Sequence, residues 1–383
     1  MTTKLDSPAA LLQTLIRIPS VNPDGDPGSD VTGEAACASF VGEFLEKACG
    51  ATVSFDEVEP GRPNVIGKLS AGSAGSKKPR ILFAPHTDTV SVSGMSIDPF
   101  GGEIRDGKIW GRGASDTKGT MAAMLWAFWE LRDRLADLNA EVTFAGFMGE
   151  ETGQPGSQHF AERYRGQFDF AIVGEPTSLD VVHTHKGCVW VELTATGRAC
   201  HGASPELGEN AITKLLPVLH AIDTELRFEL ATFANPVLGH ATVNIGQIRG
   251  GSRTNIVPDR CTASLDFRET PELASAGGAL GLLGALLQRH GWAESIGVKA
   301  NVDTRPLNTP VENPFVQTLL SLGAKPVGAP WFCDAAWLSA LGDIPAVACG
   351  PGSIAQAHTE DEWLKVEDLE AGVKFYRRFL EAL

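Results

Sequence analysis

The sequence predicts an α/β protein with a second, α+β domain inserted into it, and three observations lead to this fold class. Between residues 80 and 177, apolar strand-like runs alternate with helix-like segments, which is typical of a mixed sheet flanked by helices. Residues 181–304 instead follow the order strand, helix, strand, strand, helix, strand, which is the ferredoxin-like order. After Pro306 the first pattern returns. We therefore expect residues 1–180 and 305–383 to form one domain and residues 181–304 to form the insertion.

Apolar periodicity places the elements of the first domain. A helix is expected over Ser7–Ile18, because apolar residues recur there at helical spacing, with Ser7 as N-cap and Pro8 in the first turn. The remaining elements before the insertion are a helix over 32–48, strands over 51–58, 64–69 and 80–84, a short strand and a glycine turn over 107–113, a helix from near Thr117, and strands over 141–147 and 168–173.

Apolar periodicity also places the elements of the insertion and of the C-terminal part. Within the insertion we expect strands over 181–196, 241–249, 261–268 and 296–304 and helices over 209–222 and 271–290. The C-terminal part is expected to form a helix over 313–322, a strand over 344–349 and a final helix over 366–380.

Length and composition limit the class of protein. The chain has 383 residues, too many for one ordinary compact core, which agrees with two domains. Its formal net charge is −15, with no run of lysine or arginine, so nucleic acid is not expected as a partner. The seven cysteines are scattered and form no C-x-x-C pair, which favours a reducing compartment. The first 15 residues do not resemble a signal peptide and no long apolar run occurs, so we expect a cytoplasmic protein without membrane contact.

The stretch Leu82–Val90 carries the first candidate site residues. A buried strand breaks at Pro85 and is followed by His86 and Asp88, which point to the same side in extended chain. A histidine and a carboxylate that leave a core strand together are typical of a metal ligand and its hydrogen-bonding neighbour. The alternative is a histidine in a turn whose ring is bonded by the aspartate.

Other carboxylates and a second histidine also follow predicted strands or precede a predicted helix: Asp116, Glu150, Glu151, Glu175 and His358. Strand ends at one edge of an α/β sheet converge, and ligands bind there. In isolation, an adjacent pair of glutamates would be read as a solvated loop. Together, however, so many acids would repel one another without cations. The sequence therefore predicts a site with nitrogen and oxygen donors for zinc, cobalt or manganese, in which two ions are plausible.

Five segments, in this order, resemble the M20 family of dinuclear zinc hydrolases, in the branch of acetylornithine deacetylase and succinyl-diaminopimelate desuccinylase. The segments are Ala84–Val90, Gly111–Gly119, Gly149–Glu151, Gly174–Thr177 and Ala357–His358. The resemblance runs from about Pro19 to the C-terminus. It implies a metallopeptidase-like catalytic domain, with the insertion acting as a lid and dimerisation domain.

The resemblance also implies roles for individual residues. Five metal ligands are implied, namely His86 and Glu175 on one ion, Glu151 and His358 on the other, and Asp116 as the bridge. Asp88 is implied to hydrogen-bond His86 and fix its tautomer. Glu150 is implied to take a proton from a metal-bridging water and to return it to the leaving amine. The implied ions are Zn²⁺ first and Co²⁺ second.

Three residues of the insertion are implied to contact the substrate. His201 matches the histidine that, in the family, reaches the active site of the partner subunit and hydrogen-bonds the developing oxyanion, which implies a homodimer. Asn255 and Arg268 match positions that hold the substrate carboxylate, a role suited to the planar fork of arginine. The alternative for Arg268 is a surface salt bridge with Glu269 or Glu272.

We therefore expect a metal-dependent amidohydrolase that cleaves the amide of a small N-acyl amino acid in amino-acid biosynthesis, N-acetylornithine first and N-succinyl-diaminopimelate second. Residues 350–363 most resemble acetylornithine deacetylases, whereas Trp331–Ala335 departs from the Thr-rich or Ser-rich version common at this place. A dipeptidase, carboxypeptidase or aminoacylase of the same family shares the metal ligands and is the alternative enzyme. A non-catalytic binding protein is the alternative from another class, but it would be expected to have lost a metal ligand or the base.

Overall fold

The structure, a computed structural model, describes residues 5–23, 31–69 and 77–383. The chain separates into two compact units. The first takes in Met1–His183, Thr309–Val327 and Cys333–Leu383, and the second takes in Thr184–Asn308 and Gly328–Phe332. Residues 328–332, expected in the first domain, thus belong to the second unit, where the backbone N–H of Lys186 donates to the carbonyl of Ala329.

The described residues form eleven α-helices and eighteen strands. The helices are α1 (Pro8–Ile16), α2 (Ala35–Cys49), α3 (Lys118–Leu131), α4 (Pro155–Arg163), α5 (Ala211–Ala221), α6 (Arg227–Ala231), α7 (Pro271–Ser275), α8 (Gly278–Arg289), α9 (Pro314–Ser321), α10 (Ala335–Ala340) and α11 (Val366–Glu381). The strands are β1 (Thr52–Glu59), β2 (Arg62–Lys68), β3 (Arg80–Pro85), β4 (Glu103–Arg105), β5 (Lys108–Trp110), β6 (Glu141–Gly146), β7 (Phe170–Gly174), β8 (Val181–His185), β9 (Gly187–Thr196), β10 (Ala234–Asn235), β11 (Gly239–His240), β12 (Thr242–Gly250), β13 (Arg260–Glu269), β14 (Ile296–Asp303), β15 (Leu307–Asn308), β16 (Pro326–Ala329), β17 (Ala346–Ala348) and β18 (Trp363–Lys365). None of these helices has both the length and the apolar character needed to cross a bilayer.

A mixed sheet forms the centre of the first unit. Within this unit its order is β1-β2-β6-β3-β7-β17-β8. Strands β6, β3, β7 and β17 run parallel, with Phe83 of β3 and Val347 of β17 both opposite Ile172 of β7. Their side chains are almost all buried, as expected for parallel strands covered on both faces. The predicted α/β class with a mixed sheet and flanking helices is confirmed.

Aromatic packing fixes two helices on this sheet. The ring of Phe83 makes edge-to-face contacts with Phe128 of α3, at 5.1 Å between centroids, and with Tyr376 of α11, at 5.7 Å. Such pairs contribute about 0.5–1.5 kcal/mol each beyond the area that they bury. The Tyr376 hydroxyl also donates to the carbonyl of Cys349 at 2.7 Å. Helix α11 is therefore bonded to the chain directly after β17.

The second unit contains a four-stranded antiparallel sheet of order β12-β13-β9-β14. Alternate residues of β9, among them Val189, Val191 and Leu193, are buried in a core that also includes Leu215 of α5 and Leu283 of α8. With α5 and α8 between the strands in the chain, the element order is the predicted strand, helix, strand, strand, helix, strand.

Two elements that were each predicted as continuous in the insertion are divided in the structure, so both predictions were wrong in this respect. The strand expected over 181–196 is interrupted at Lys186, because β8 pairs with β17 and β15 whereas β9 pairs with β13 and β14. The helix expected over 271–290 is divided into α7 and α8 at Gly277 and Gly278, whose φ angles are 104° and 73°. These left-handed conformations are readily adopted by glycine and interrupt a helix.

Candidate metal centre

The parallel strands bring the predicted site residues of the first unit to one edge. His86 directly follows β3, Glu150 and Glu151 lie shortly after β6, and Glu175 directly follows β7. Asp116 lies two residues before α3. His358 lies in the loop after β17 and has the left-handed φ of 63°. Because the carboxyl ends of parallel strands meet at one sheet edge, residues distant in sequence become neighbours there.

Asp116 lies between the two histidines. Its Oδ1 atom is 3.0 Å from Nε2 of His86, and its Oδ2 atom is 3.4 Å from Nε2 of His358. The same nitrogen of His358 is 3.0 Å from Oε2 of Glu151. One carboxylate thus has an oxygen facing each histidine, which is the arrangement that a bridging ligand requires.

Asp88 is completely buried and connects His86 to the turn after β6. Nδ1 of His86 lies 3.0 Å from the Asp88 carbonyl oxygen and 3.3 Å from its Oδ1. The Asp88 carboxylate also accepts hydrogen bonds from the backbone N–H groups of Glu150, at 3.0 Å, and Glu151, at 3.1 Å. The two glutamates therefore sit on a fixed turn, and the side chain of Glu151 is only 7% exposed. A freely solvated loop does not describe them.

The donor atoms fit a divalent metal ion. One ligand atom each from His86, Asp116 and Glu151 lies within 4.8 Å of the others. Glu175 is buried, and its Oε1 atom has no hydrogen-bond partner in the part of the chain that the structure describes. Without an ion, burial and neighbouring carboxylates raise the pKa of Glu175 and Glu150 well above the usual range. Carboxylates buried with this little compensation stay ionised only beside a cation, and a histidine and carboxylate set suits Zn²⁺ or a similar ion.

Glu362 was not singled out from the sequence, although it lies in the segment that resembles acetylornithine deacetylases. Its buried carboxylate accepts hydrogen bonds from the backbone N–H groups of Gly113, Ser115 and Asp116. It also pairs with Arg112 at 2.8 Å. Glu362 therefore fixes the backbone that carries Asp116.

Asn22 and Asp334 were also missed. The Nδ2 atom of Asn22 donates to Asp88 at 2.7 Å, and its Oδ1 accepts from the Thr152 hydroxyl at 2.8 Å. Asp334 is buried and accepts from the Ser157 hydroxyl, and burial raises its pKa to about 7. Asp334 lies in the segment 331–335, and the departure of this segment from the Thr-rich or Ser-rich sequence common at this place could have drawn attention to it. Asn22 gave no such signal.

The three candidate residues of the insertion lie in the second unit. His201 is exposed, and its Nδ1 accepts from the backbone N–H of Ala203 at 3.1 Å. The neighbouring Gly202 donates its N–H to the carbonyl of Asn255, so the loops of His201 and Asn255 are adjacent.

Arg268 is not paired as the alternative reading expected. Its Nε lies 3.0 Å from Oδ1 of Asp266. Glu269 instead accepts from the backbone N–H of Ala279, and Glu272 accepts from the Nδ2 atom of Asn235. The alternative, a salt bridge of Arg268 with Glu269 or Glu272, is therefore not found, and its ion-pair partner is Asp266.

Comparisons with known proteins identify the family. Residues 82–382 match the peptidase family M20/M25/M40. The acetylornithine deacetylase of Proteus mirabilis is 31% identical over 390 residues, which cover 97% of this chain and 95% of that protein. A probable carboxypeptidase of Aspergillus clavatus is 31% identical over 371 residues, which cover 92% and 85%. The crystal structure of the M20 family metallo-carboxypeptidase Sso-CP2 from Sulfolobus solfataricus has a TM-score of 0.77 at 23% identity, over 98% of this chain and 99% of that one. The expected resemblance is confirmed: the chain belongs to the peptidase family M20/M25/M40 and is a metal-dependent amidohydrolase.

Proposed function

We propose that this amidohydrolase cleaves the amide bond of a small N-acyl amino acid, with N-acetylornithine as the first candidate and N-succinyl-diaminopimelate as the second. The observation that carries the proposal is the placement of Asp116 between His86 and His358, beside the fixed turn of Glu150 and Glu151. The similarity of nearly the whole chain to an acetylornithine deacetylase supports the choice of substrate.

Five side chains would hold two ions: His86 and Glu175 the first, Glu151 and His358 the second, and Asp116 both. When bound, two divalent ions, Zn²⁺ or alternatively Co²⁺, would lower the pKa of a water molecule and polarise the scissile carbonyl. Asp88 would keep Nε2 of His86 available as a ligand, because Nδ1 of that ring faces Asp88.

Glu150 would move the proton. Its backbone is held by Asp88, and in this assignment its carboxylate is not a ligand. The carboxylate would accept a proton from the attacking water while the water oxygen bonds to the carbonyl carbon. It would then deliver that proton to the nitrogen as the C–N bond breaks, releasing a carboxylate and a free amine. Glu150 lies beside the proposed ligand Glu151 on the turn that Asp88 fixes, which suits a group that exchanges a proton with the attacking water.

Residues 181–304 would act as a lid and dimerisation domain of a homodimer. His201, supplied by the partner subunit, would donate a hydrogen bond to the developing oxyanion. Asn255 and Arg268 would bind the substrate carboxylate, and the guanidinium would form paired hydrogen bonds with it. The exposure of His201 and its position next to the Asn255 loop support these roles.

A carboxypeptidase or dipeptidase of the same family is the second candidate. It is favoured by the 31% identity to the probable carboxypeptidase of Aspergillus clavatus, equal to the identity with the deacetylase. The metal ligands do not distinguish the two activities, because both reactions hydrolyse a linear amide.

The test compares three probes: N-acetylornithine, N-succinyl-diaminopimelate and the dipeptide alanylglutamate. Metal-stripped protein is titrated with zinc or cobalt, and release of free amine is measured. Metal-dependent turnover of N-acetylornithine or N-succinyl-diaminopimelate supports the proposal and selects the substrate. Turnover of the dipeptide alone transfers the assignment to the second candidate.

The role of Glu150 is tested with Glu150→Ala, which should lose turnover but keep its metal. Glu162→Ala, an exposed glutamate on α4, is the matched control and should behave like the wild-type protein. Near-normal turnover by the Glu150 variant would contradict the mechanism.

A further inference from the structure

The side chain of Gln154 contacts the carboxylate of Glu150. Its Nε2 atom lies 2.7 Å from Oε1 of Glu150, and its Oε1 atom lies 2.8 Å from the indole nitrogen of Trp337. Gln154 is completely buried. One side chain thus connects the proposed proton carrier to α10, 183 residues away along the chain from Gln154.

The chemistry of the indole fixes the orientation of this amide. A tryptophan N–H can donate a hydrogen bond but cannot accept one, so the atom that it contacts must be the amide oxygen. The NH₂ group of Gln154 must then face Glu150, and this assignment does not depend on telling nitrogen from oxygen by shape. Gln154 is therefore an obligatory donor to one oxygen of the Glu150 carboxylate.

The backbone at Gln154 adds an independent observation. Its φ of 60° is a left-handed conformation that residues other than glycine seldom adopt. The conformation is held by a hydrogen bond from its N–H to the carbonyl of Gly149 at 2.9 Å. Strained conformations of this kind cluster at active sites, where the surrounding structure maintains them.

The other end of the bridge is also anchored. The hydroxyl of Ser157, in the first turn of α4, donates to Oδ1 of Asp334, which lies directly before α10. This hydrogen bond joins the start of α4, which directly follows Gln154, to the start of α10, which contains Trp337. The position of the indole relative to Gln154 is consequently fixed by buried hydrogen bonds.

We propose that Gln154, oriented by Trp337, is a positioning residue for proton transfer by Glu150. Its amide donates a hydrogen bond to Oε1 of Glu150, so that Oε2 is the oxygen that exchanges the proton. That oxygen takes the proton from the attacking water and returns it to the leaving nitrogen, while the water oxygen remains in the product carboxylate. The inference rests on the proposed function, because it assigns a partner to Glu150 in that role.

A double-mutant cycle tests the bridge, with the probe that the wild-type protein turns over among N-acetylornithine, N-succinyl-diaminopimelate and alanylglutamate. Gln154→Met keeps the size of the side chain and removes the donor, so kcat should fall about tenfold to a hundredfold with KM changed by less than about twofold. Trp337→Phe keeps the packing and removes the N–H, and should lower kcat about threefold to tenfold because the amide is free to turn. The double variant should be no slower than Gln154→Met, since Trp337 acts through Gln154.

Gln317→Met is the matched control, because Gln317 is exposed and its amide donates to the carbonyl of Val311. The zinc content of all variants is measured as a second readout and should equal that of the wild-type protein, since none of the changed side chains is an assigned ligand. A Gln154→Met protein with wild-type kcat would overturn the inference. So would additive losses in the double variant, which would show that Trp337 acts by packing alone.

Two further outcomes separate the inference from the function on which it rests. If Glu150→Ala loses turnover while Gln154→Met keeps it, the inference fails and the proposed function stands. If Glu150→Ala keeps turnover, or the wild-type protein turns over none of the probes, the proposed function fails as well. Should Gln154→Met not fold, the kcat and KM of Trp337→Phe decide the question, and an unchanged kcat in that variant overturns the inference.

Discussion

The Oε1 atom of Glu362 accepts a hydrogen bond of 2.9 Å from the backbone N–H of Asp116. The same oxygen accepts from Ser115, and the second carboxylate oxygen accepts from Gly113 and from Arg112. All of these groups are buried around a carboxylate that lies four residues beyond His358. Glu362 thus joins the loop of Asp116, which precedes the insertion in the sequence, to the loop of His358, which follows it.

Glu362→Gln should therefore weaken both the fold and metal binding. The change turns one acceptor into a donor that faces backbone N–H groups, and it leaves Arg112 without its anionic partner. We expect the free energy of unfolding of the metal-free protein to fall by about 3 kcal/mol, and metal affinity to fall about tenfold to a hundredfold. Denaturant unfolding and zinc titration measure the two quantities. Glu360→Gln, at an exposed position, is the control, and equal behaviour of the two variants would contradict the role of Glu362.

Metal binding should release protons, in numbers that decrease as the pH rises. In the metal-free protein, burial and the nearby carboxylates Asp116 and Glu150 raise the pKa of Glu175, so this group keeps a proton at pH values where an exposed glutamate is ionised. A ligand must be deprotonated, so the proton leaves when an ion binds. Zinc titration by calorimetry at pH 6, in buffers of different ionisation enthalpy, counts the protons. Glu175→Gln should release fewer, and an unchanged count would remove Glu175 from the ligand set.

His185 should make the protein less stable in mild acid. Burial lowers the pKa of His185 to about 4, and its Nε2 has no hydrogen-bond partner among the described residues. Above the ordinary histidine pKa of about 6.5, both the folded and the unfolded chain hold the neutral ring, and its ionisation has no effect on stability. Between about pH 6.5 and 4 only the unfolded chain takes up the proton, so up to about 3 kcal/mol of stability is lost, and the loss is complete below about pH 4.

His185→Phe should remove this part of the acid sensitivity. Between pH 7 and pH 4, the free energy of unfolding should fall by about 3 kcal/mol less in this variant than in the wild-type protein. His220→Phe changes an exposed histidine and should leave the pH dependence as it was. The same pH profile in His185→Phe and wild type would show that His185 is not responsible.

The features that the sequence predicted well depend on local pattern or on a general property of sheets. Ser7 and Pro8 begin α1 as expected, and the Ser7 hydroxyl accepts from the N–H of Ala10. His86 and Glu175 could be placed together because each directly follows a strand, and parallel strands end at one edge. Neither inference required knowledge of a contact between side chains.

The features that were missed depend on contacts between distant segments. Gln154 and Trp337 belong to segments without a shared motif, and nothing in their spacing indicates that they meet. The break between β8 and β9 at Lys186 was missed because strand-forming residues stand on both sides of it, and pairing with different partner strands divides the segment. By contrast, the pair Gly277 and Gly278 was an available signal for the break between α7 and α8.

The position of β17 in the sheet has a consequence for biosynthesis. This strand of three residues, 346–348, lies between β7 and β8, which were synthesised more than 160 residues earlier. Until it leaves the ribosome, the nascent chain has unpaired strand edges at the centre of its sheet, and such edges favour aggregation. His358 emerges later still. A stalled or truncated chain that ends before β17 is therefore prone to self-association and also lacks His358, one of the proposed metal ligands.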